Sequence, residues 1–90
     1  MKAFISEENP LFKRGDKYGI TIKEKSETVI IRNIYTRRLE DLTFNDLEMI
    51  GYTNPNLFVK EWISKYGSFD KAKIVWVVVY MDMNAKEDLL

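Results

Sequence analysis

The sequence predicts an α+β domain in which a small, curved, mostly antiparallel and barrel-like sheet carries two helices. Three observations predict it. Two full sets of helix start and stop signals fall between residues 39 and 67, stretches with strand periodicity stand on both sides of them, and the last of those stretches is apolar on both faces. Ninety residues with 46% apolar content suit a single globular domain spanning residues 1–90.

Taken in order, residues 2–6 read as a short edge strand, so that residues 1–11 hold a partial first strand and a loop. Asn-Pro and Gly-Asp signals in residues 7–16 give a loop, and within Arg14-Gly15-Asp16 the glycine is expected to take a special backbone angle in a turn. Residues 18–24 alternate Tyr18, Ile20 and Ile22 against Gly19, Thr21 and Lys23, the period of a half-buried strand, and residues 24–27 turn the chain. Residues 28–38 are rich in β-branched side chains, yet Val29 and Ile31 lie on one parity and Ile34 on the other. A bulge near Arg32 and Asn33 restores a single face, and because bulges bend strands it favours a curved sheet.

Thr43 is the expected N-cap of the first helix, with Asp46 completing a capping box, Leu42 and Leu47 a hydrophobic staple, and Gly51 a left-handed stop. Phe44, Leu47 and Ile50 share its apolar face. A helix of about two turns has no stability of its own in water, so that face must rest on the sheet. The second helix has Asn54 as cap, Pro55 at its first position and Gly67 as terminator. Phe58, Trp62 and Tyr66, four apart with Val59 and Ile63 beside them, are expected in the core. After a loop at residues 68–73, residues 74–81 form a central strand, and residues 82–90 a polar tail.

Composition narrows the chemistry. With no cysteine and no histidine there is no disulfide, no zinc site built on Cys or His, and no imidazole acid–base chemistry; no cofactor and no metal is expected. Fourteen basic and fourteen acidic residues cancel, so any attraction to nucleic acid must come from a local patch. The first residues lack a signal-like apolar run and no stretch is long enough to span a bilayer, which predicts a soluble cytoplasmic protein with no membrane partner.

Two basic groups supply such a patch: Lys13, Arg14 and Lys17 around the first turn, and Arg32, Arg37 and Arg38 along the bulged strand, with Tyr35 among them as a stacking group. The competing reading is a solvated face whose charge is balanced by Glu24, Glu27, Glu40 and Asp41. No spacing of carboxylates calls for a metal or an acid–base pair, and Lys2 with Ser6 is the one conceivable base and nucleophile.

Phe12-Lys13-Arg14-Gly15-Asp16, Arg38-Leu39-Glu40-Asp41-Leu42-Thr43, the Ile50-Gly51-Tyr52 step, Trp62 to Gly67 and Val75-Trp76-Val77 follow one another along the chain. In that order of signals, residues 12 to 81 resemble the ASCH domains. The resemblance implies a PUA-like barrel with flanking helices, shortened at its start, and RNA or nucleotide binding without catalysis; some members instead hydrolyse modified nucleosides. Of the family's Gly-x-Lys-x-x-x-x-Arg motif only Lys2 has a counterpart here, Glu7 stands in the arginine's place, and Ile5 occupies the position of the amidohydrolase threonine, with Glu48 a loose counterpart of its acid. A small hydrolase of modified nucleosides and a dimeric protein-interaction domain are the alternatives. The homodimer follows from strand count: three or four strands leave an unpaired edge where a closed barrel needs more.

Overall fold

The doubly apolar stretch near the end of the chain is the central strand. In the computed structural model, which describes residues 1–22 and 24–83, the elements run β1 (Lys2–Ser6), β2 (Lys17–Ile22), β3 (Lys25–Arg38), a 3-10 turn (Leu39–Asp41), α1 (Phe44–Ile50), α2 (Pro55–Tyr66) and β4 (Ile74–Asp82). The strands form one antiparallel sheet in the order β1-β4-β3-β2, so β4 lies between β1 and β3, and among the described residues the sheet does not close. No described helix is long and apolar enough to cross a membrane. The expected tail falls outside the described residues from 84 onward, as does Lys23.

Residue parity assigns β4 to two cores. Val75, Val77 and Val79 face the helices: Val75 packs with Leu39, Leu47, Phe58 and Trp62, while Val77 and Val79 pack with Ala3 and, at their margin, Tyr35, Met49 and Ile50. Val78 and Tyr80 point the other way and meet Val29 and Ile31, with Phe4, Phe12, Ile20 and Ile34 around them. A flat sheet cannot bury that second face. Three spacings of about 4.8 Å would hold β1 and β2 about 14 Å apart, yet the rings of Phe4 on β1 and Tyr18 on β2 lie 6.4 Å apart, each also touching a further aromatic ring. The sheet therefore curls until its two edge strands share one apolar interior.

The bulge lies where parity demands it. Ile31 pairs with Tyr80 and Asn33 with Val79, so Arg32 is the extra residue, and Val29, Ile31 and Ile34 all reach the inner face opposite Asp82, Tyr80 and Val78. The turn between β2 and β3 is tighter than expected: β3 starts at Lys25, not at Thr28, because Ile22 pairs with Lys25 and Glu24 takes a φ of 68° in the two-residue connection.

The helix signals operate as read. Thr43 Oγ1 accepts from the Asp46 N–H while Asp46 Oδ2 accepts from the Thr43 N–H, and Gly51 and Gly67 end their helices at φ 116° and 88°. Three side chains depart from expectation. Phe44 is 65% exposed rather than packed with Leu47, because the capping box turns Asp46 toward the sheet and leaves the first residue of a two-turn helix beyond it. Ile63 and Tyr66, in the last turn of α2, are both about two-fifths exposed rather than buried, and the Tyr66 ring lies against that of Trp62, 4.3 Å away.

Candidate nucleic-acid interface

The expected basic residues are brought together in part. The turn before β2 positions the first of them: Asp16 N–H donates to the Lys13 carbonyl while Gly15, at the third position, has φ 93°, the type II pattern that favours glycine there. The turn then docks on the bulge, with the Gly15 N–H donating to the Ile31 carbonyl at 2.7 Å and the Ile31 N–H to the Asp16 carbonyl at 2.8 Å. The backbone at Arg14 is thereby held against the bulge that carries Arg32. Both arginines line a single cavity of about 380 Å³ together with Asn33, Tyr35, Asn45, Met49, Val79 and Met1. It lies between the bulge and α1, on the helix-bearing face of the sheet.

Charge separates the arginines that can receive a ligand from those already committed. Arg37 Nε donates to Asp46 Oδ2 at 2.9 Å, and Arg38 pairs with Glu40 and Asp41. The reading of a balanced surface thus holds for Arg38. Among the described residues no carboxylate pairs with Arg14 or Arg32, and neither Glu24 nor Glu27 balances them. Lys13 begins the docked turn and Lys17 opens β2 opposite Ile30; both are exposed, and neither lines the cavity.

Tyr35 is held rather than free. Its hydroxyl donates to Asp46 Oδ1 at 2.5 Å, and the Arg37 guanidinium lies 5.0 Å from its ring centroid. Burial, with the hydrogen bond to Asp46 and that group's charge, pushes the phenol up to about 12, against the opposing influence of Arg37. Burial also works to raise the Asp46 carboxyl, but the hydrogen bond from Tyr35, the two bonds with Thr43 and the charge of Arg37 together hold it below its ordinary value. Asp46, only 1% exposed, is therefore an ionised acceptor with three donors. It is a fastening between β3 and α1, and it presents the Tyr35 ring to the cavity in one orientation.

Asn33, Asn45 and Met49 were not singled out by the sequence. Asn45 and Met49 are four apart on α1 and so share one wall, a signal visible only once the helix face turned toward the bulge is known. Asn33 Oδ1 accepts from the Ile34 N–H, which leaves its amide donors for a ligand.

The Lys2 and Ser6 pair named from the sequence is not assembled for acid–base chemistry. Lys2 and Ser6 stand on the opposite sheet face, paired with Tyr80 and Trp76, and four steps along the strand put them about 13 Å apart. Ser6 Oγ donates to the Glu8 carbonyl. Glu48 is exposed, and among the described residues no group of His, Cys, Asp and Glu is arranged to hold a metal ion. A second cleft, about 240 Å³ between Ile5, Ile50 and α2, is walled by Tyr52, Phe58, Trp62 and Tyr66. Successive rings there lie 4.3 to 5.9 Å apart, less than the roughly 7 Å that two stacking contacts of about 3.5 Å require for a base between two rings.

No family model, curated protein or solved structure matches the chain.

Proposed function

We propose that the protein is a non-catalytic module that binds RNA or nucleotides in the cavity between the bulge of β3 and α1. The observation that carries this reading is the pair Arg14 and Arg32, two arginines without carboxylate partners among the described residues, lining one cavity with a tyrosine ring held in place. The arginines take phosphate oxygens, Tyr35 offers a ring edge or face to a base, and the amides of Asn33 and Asn45 reach base or sugar edges. Lys13 and Lys17, exposed on the turn and at the start of β2, add positive charge to the surrounding surface, while Arg37 and Arg38 are held by their own acidic partners. As part of the same reading, the curled sheet and two helices are a shortened relative of the PUA-like barrel of ASCH domains, supported by the ordered motifs between residues 12 and 81.

A labelled short single-stranded RNA, titrated at two salt concentrations, tests the proposal. With two phosphates neutralised, log K falls with log salt at a slope of about −1.4, and Arg14→Gln with Arg32→Gln removes both the binding and the slope. Absence of binding at low salt, or binding untouched by the double substitution, overturns it.

A further inference from the structure

We infer that this cavity selects a terminal phosphate monoester on a single nucleotide unit, free or at the end of a chain, over the internal diesters of an RNA strand. The inference rests on the nucleotide-binding reading and narrows it. Its first support is size. The cavity is an open recess of about 380 Å³, a volume that seats one nucleotide unit. The second is charge. Arg14 and Arg32 place two permanent positive charges in the cavity without a protein carboxylate against either. An internal diester carries one negative charge; a monoester carries close to two at pH 7, its second ionisation lying near pH 6. Two planar guanidinium forks also match the three free oxygens of a monoester better than the two of a diester.

The third support is how firmly the arginines are placed. Arg14 is carried on a turn whose glycine geometry and two backbone bonds to Ile31 tie it to the bulge, and Arg32 is the bulge residue itself. The backbone thus sets the spacing of the two attachment points before ligand arrives, so bringing the two guanidinium groups to one phosphate needs side-chain rotation and no loop closure. The ring of Tyr35 and the amide of Asn45 lie on the other walls of the cavity, where the base attached to that phosphate would rest.

Calorimetric titration at low salt with four probes decides it: a nucleoside, its 5′-monophosphate, a dinucleoside monophosphate with no terminal phosphate, and the same dinucleotide phosphorylated at its 5′ end. The two monoester probes are expected to bind at least tenfold more tightly than the diester at pH 7.5. Repeating the titration at pH 5, where the monoester carries a single charge, should bring them close to it. Arg14→Gln and Arg32→Gln, each checked for a wild-type circular dichroism spectrum, should each erase most of the preference. Equal binding of monoester and diester, or a preference that survives at pH 5, overturns the selectivity while leaving RNA binding in place. No binding by any probe, with none by longer RNA, overturns both.

Discussion

Replacing Asp46 by alanine tests whether one buried carboxylate fastens α1 to the sheet. The substitution leaves three donors without their acceptor: the Tyr35 hydroxyl, the Thr43 N–H and Arg37 Nε. A hydrogen bond to a buried charged acceptor contributes about 1.5 to 3 kcal/mol, and a part-buried backbone bond about 1 kcal/mol. The Arg37 side chain is 38% exposed, so water replaces much of what it loses and its share is at most about 1 kcal/mol. The sum centres on about 4 kcal/mol. For a chain of this size, total stability is on the order of 5 to 13 kcal/mol, so a quarter or more of it is at stake, and the melting temperature should fall by about 16 to 32 °C. Urea unfolding at pH 7, followed by far-ultraviolet circular dichroism, reads the loss as a lower midpoint at unchanged slope. Tyr35→Phe alone should lose less, and the two substitutions combined should lose less than their sum, because both remove the same bond. The dependence on pH adds a check. Since the native state holds Asp46 below its ordinary pKa, its contribution is complete above the unfolded value of about 3.9. It is lost as pH falls through the native value; below about pH 4 the wild type should therefore lose its advantage over Asp46→Ala. A substituted protein within about 0.5 kcal/mol of wild type at pH 7 would refute the reasoning, since that is the range of an ordinary surface change.

Gly15→Ala places a side chain at φ 93° and should cost about 1 to 2 kcal/mol; because the turn carries Arg14, nucleotide affinity should fall together with the urea midpoint, and affinity unchanged in the folded variant would detach the turn from the site. At high pH the sign reverses from that of Asp46: Tyr35 and Tyr52 are both pushed up to about 12, Tyr35 by burial and its bond to Asp46, Tyr52 by its bond to Glu61 and by burial. Their contribution is present below the unfolded value of about 10 and lost as pH rises toward 12, so stability should decline across that window, and Tyr35→Phe should flatten the decline; a slope unaltered by that change contradicts the assignment. The outer backbone edges of β1 and β2 have no neighbouring strand among the described residues, and pairing of either with a second copy gives a two-fold dimer; light scattering at micromolar concentration should then read twice 10.7 kDa, whereas a single chain's mass removes the dimer.

The sequence was most legible where a feature is specified within a few residues. Thr43 and Asp46, Asn54 and Pro55, and Gly51 and Gly67 each carry a local backbone requirement, and each stands in the structure where that requirement falls. The register defect in β3 was legible for a different reason: Ile34 has the wrong parity for the face shared by Val29 and Ile31, and one extra residue is the smallest repair. What could not be read was any relation that depends on which faces meet. Asp46 is fully explained by its local capping box, so nothing in the sequence signals that its other oxygen accepts from Tyr35 across eleven residues. Asn45 and Met49 gain meaning only because α1 faces the bulge across the cavity. Phe44 shows the reverse case, a periodic position that misleads because a seven-residue helix is too short for every turn of its apolar stripe to find the sheet.

The bulge at Arg32 joins these two kinds of information. A regular β3 would keep Val29 and Ile31 inside but turn Ile34 outward, and it would lack the bend that lets β1 and β2 share an interior; Phe4 and Tyr18 would then stand on separate edges of a flatter sheet with its second apolar face in water. One inserted residue avoids both outcomes. The inserted residue is itself turned out of the ladder, onto the face where α1 lies, so the backbone irregularity that closes the apolar interior also puts a guanidinium at the head of the cavity. The neighbouring turn reinforces this arrangement: its two backbone bonds to Ile31 occupy the outer edge of β3 immediately before the bulge, and the same bonds hold Arg14 in place. The same bulge and the same two backbone bonds thus serve both the sheet and the basic pair. Loss of the bulge would disperse the candidate site even in a chain that still folded.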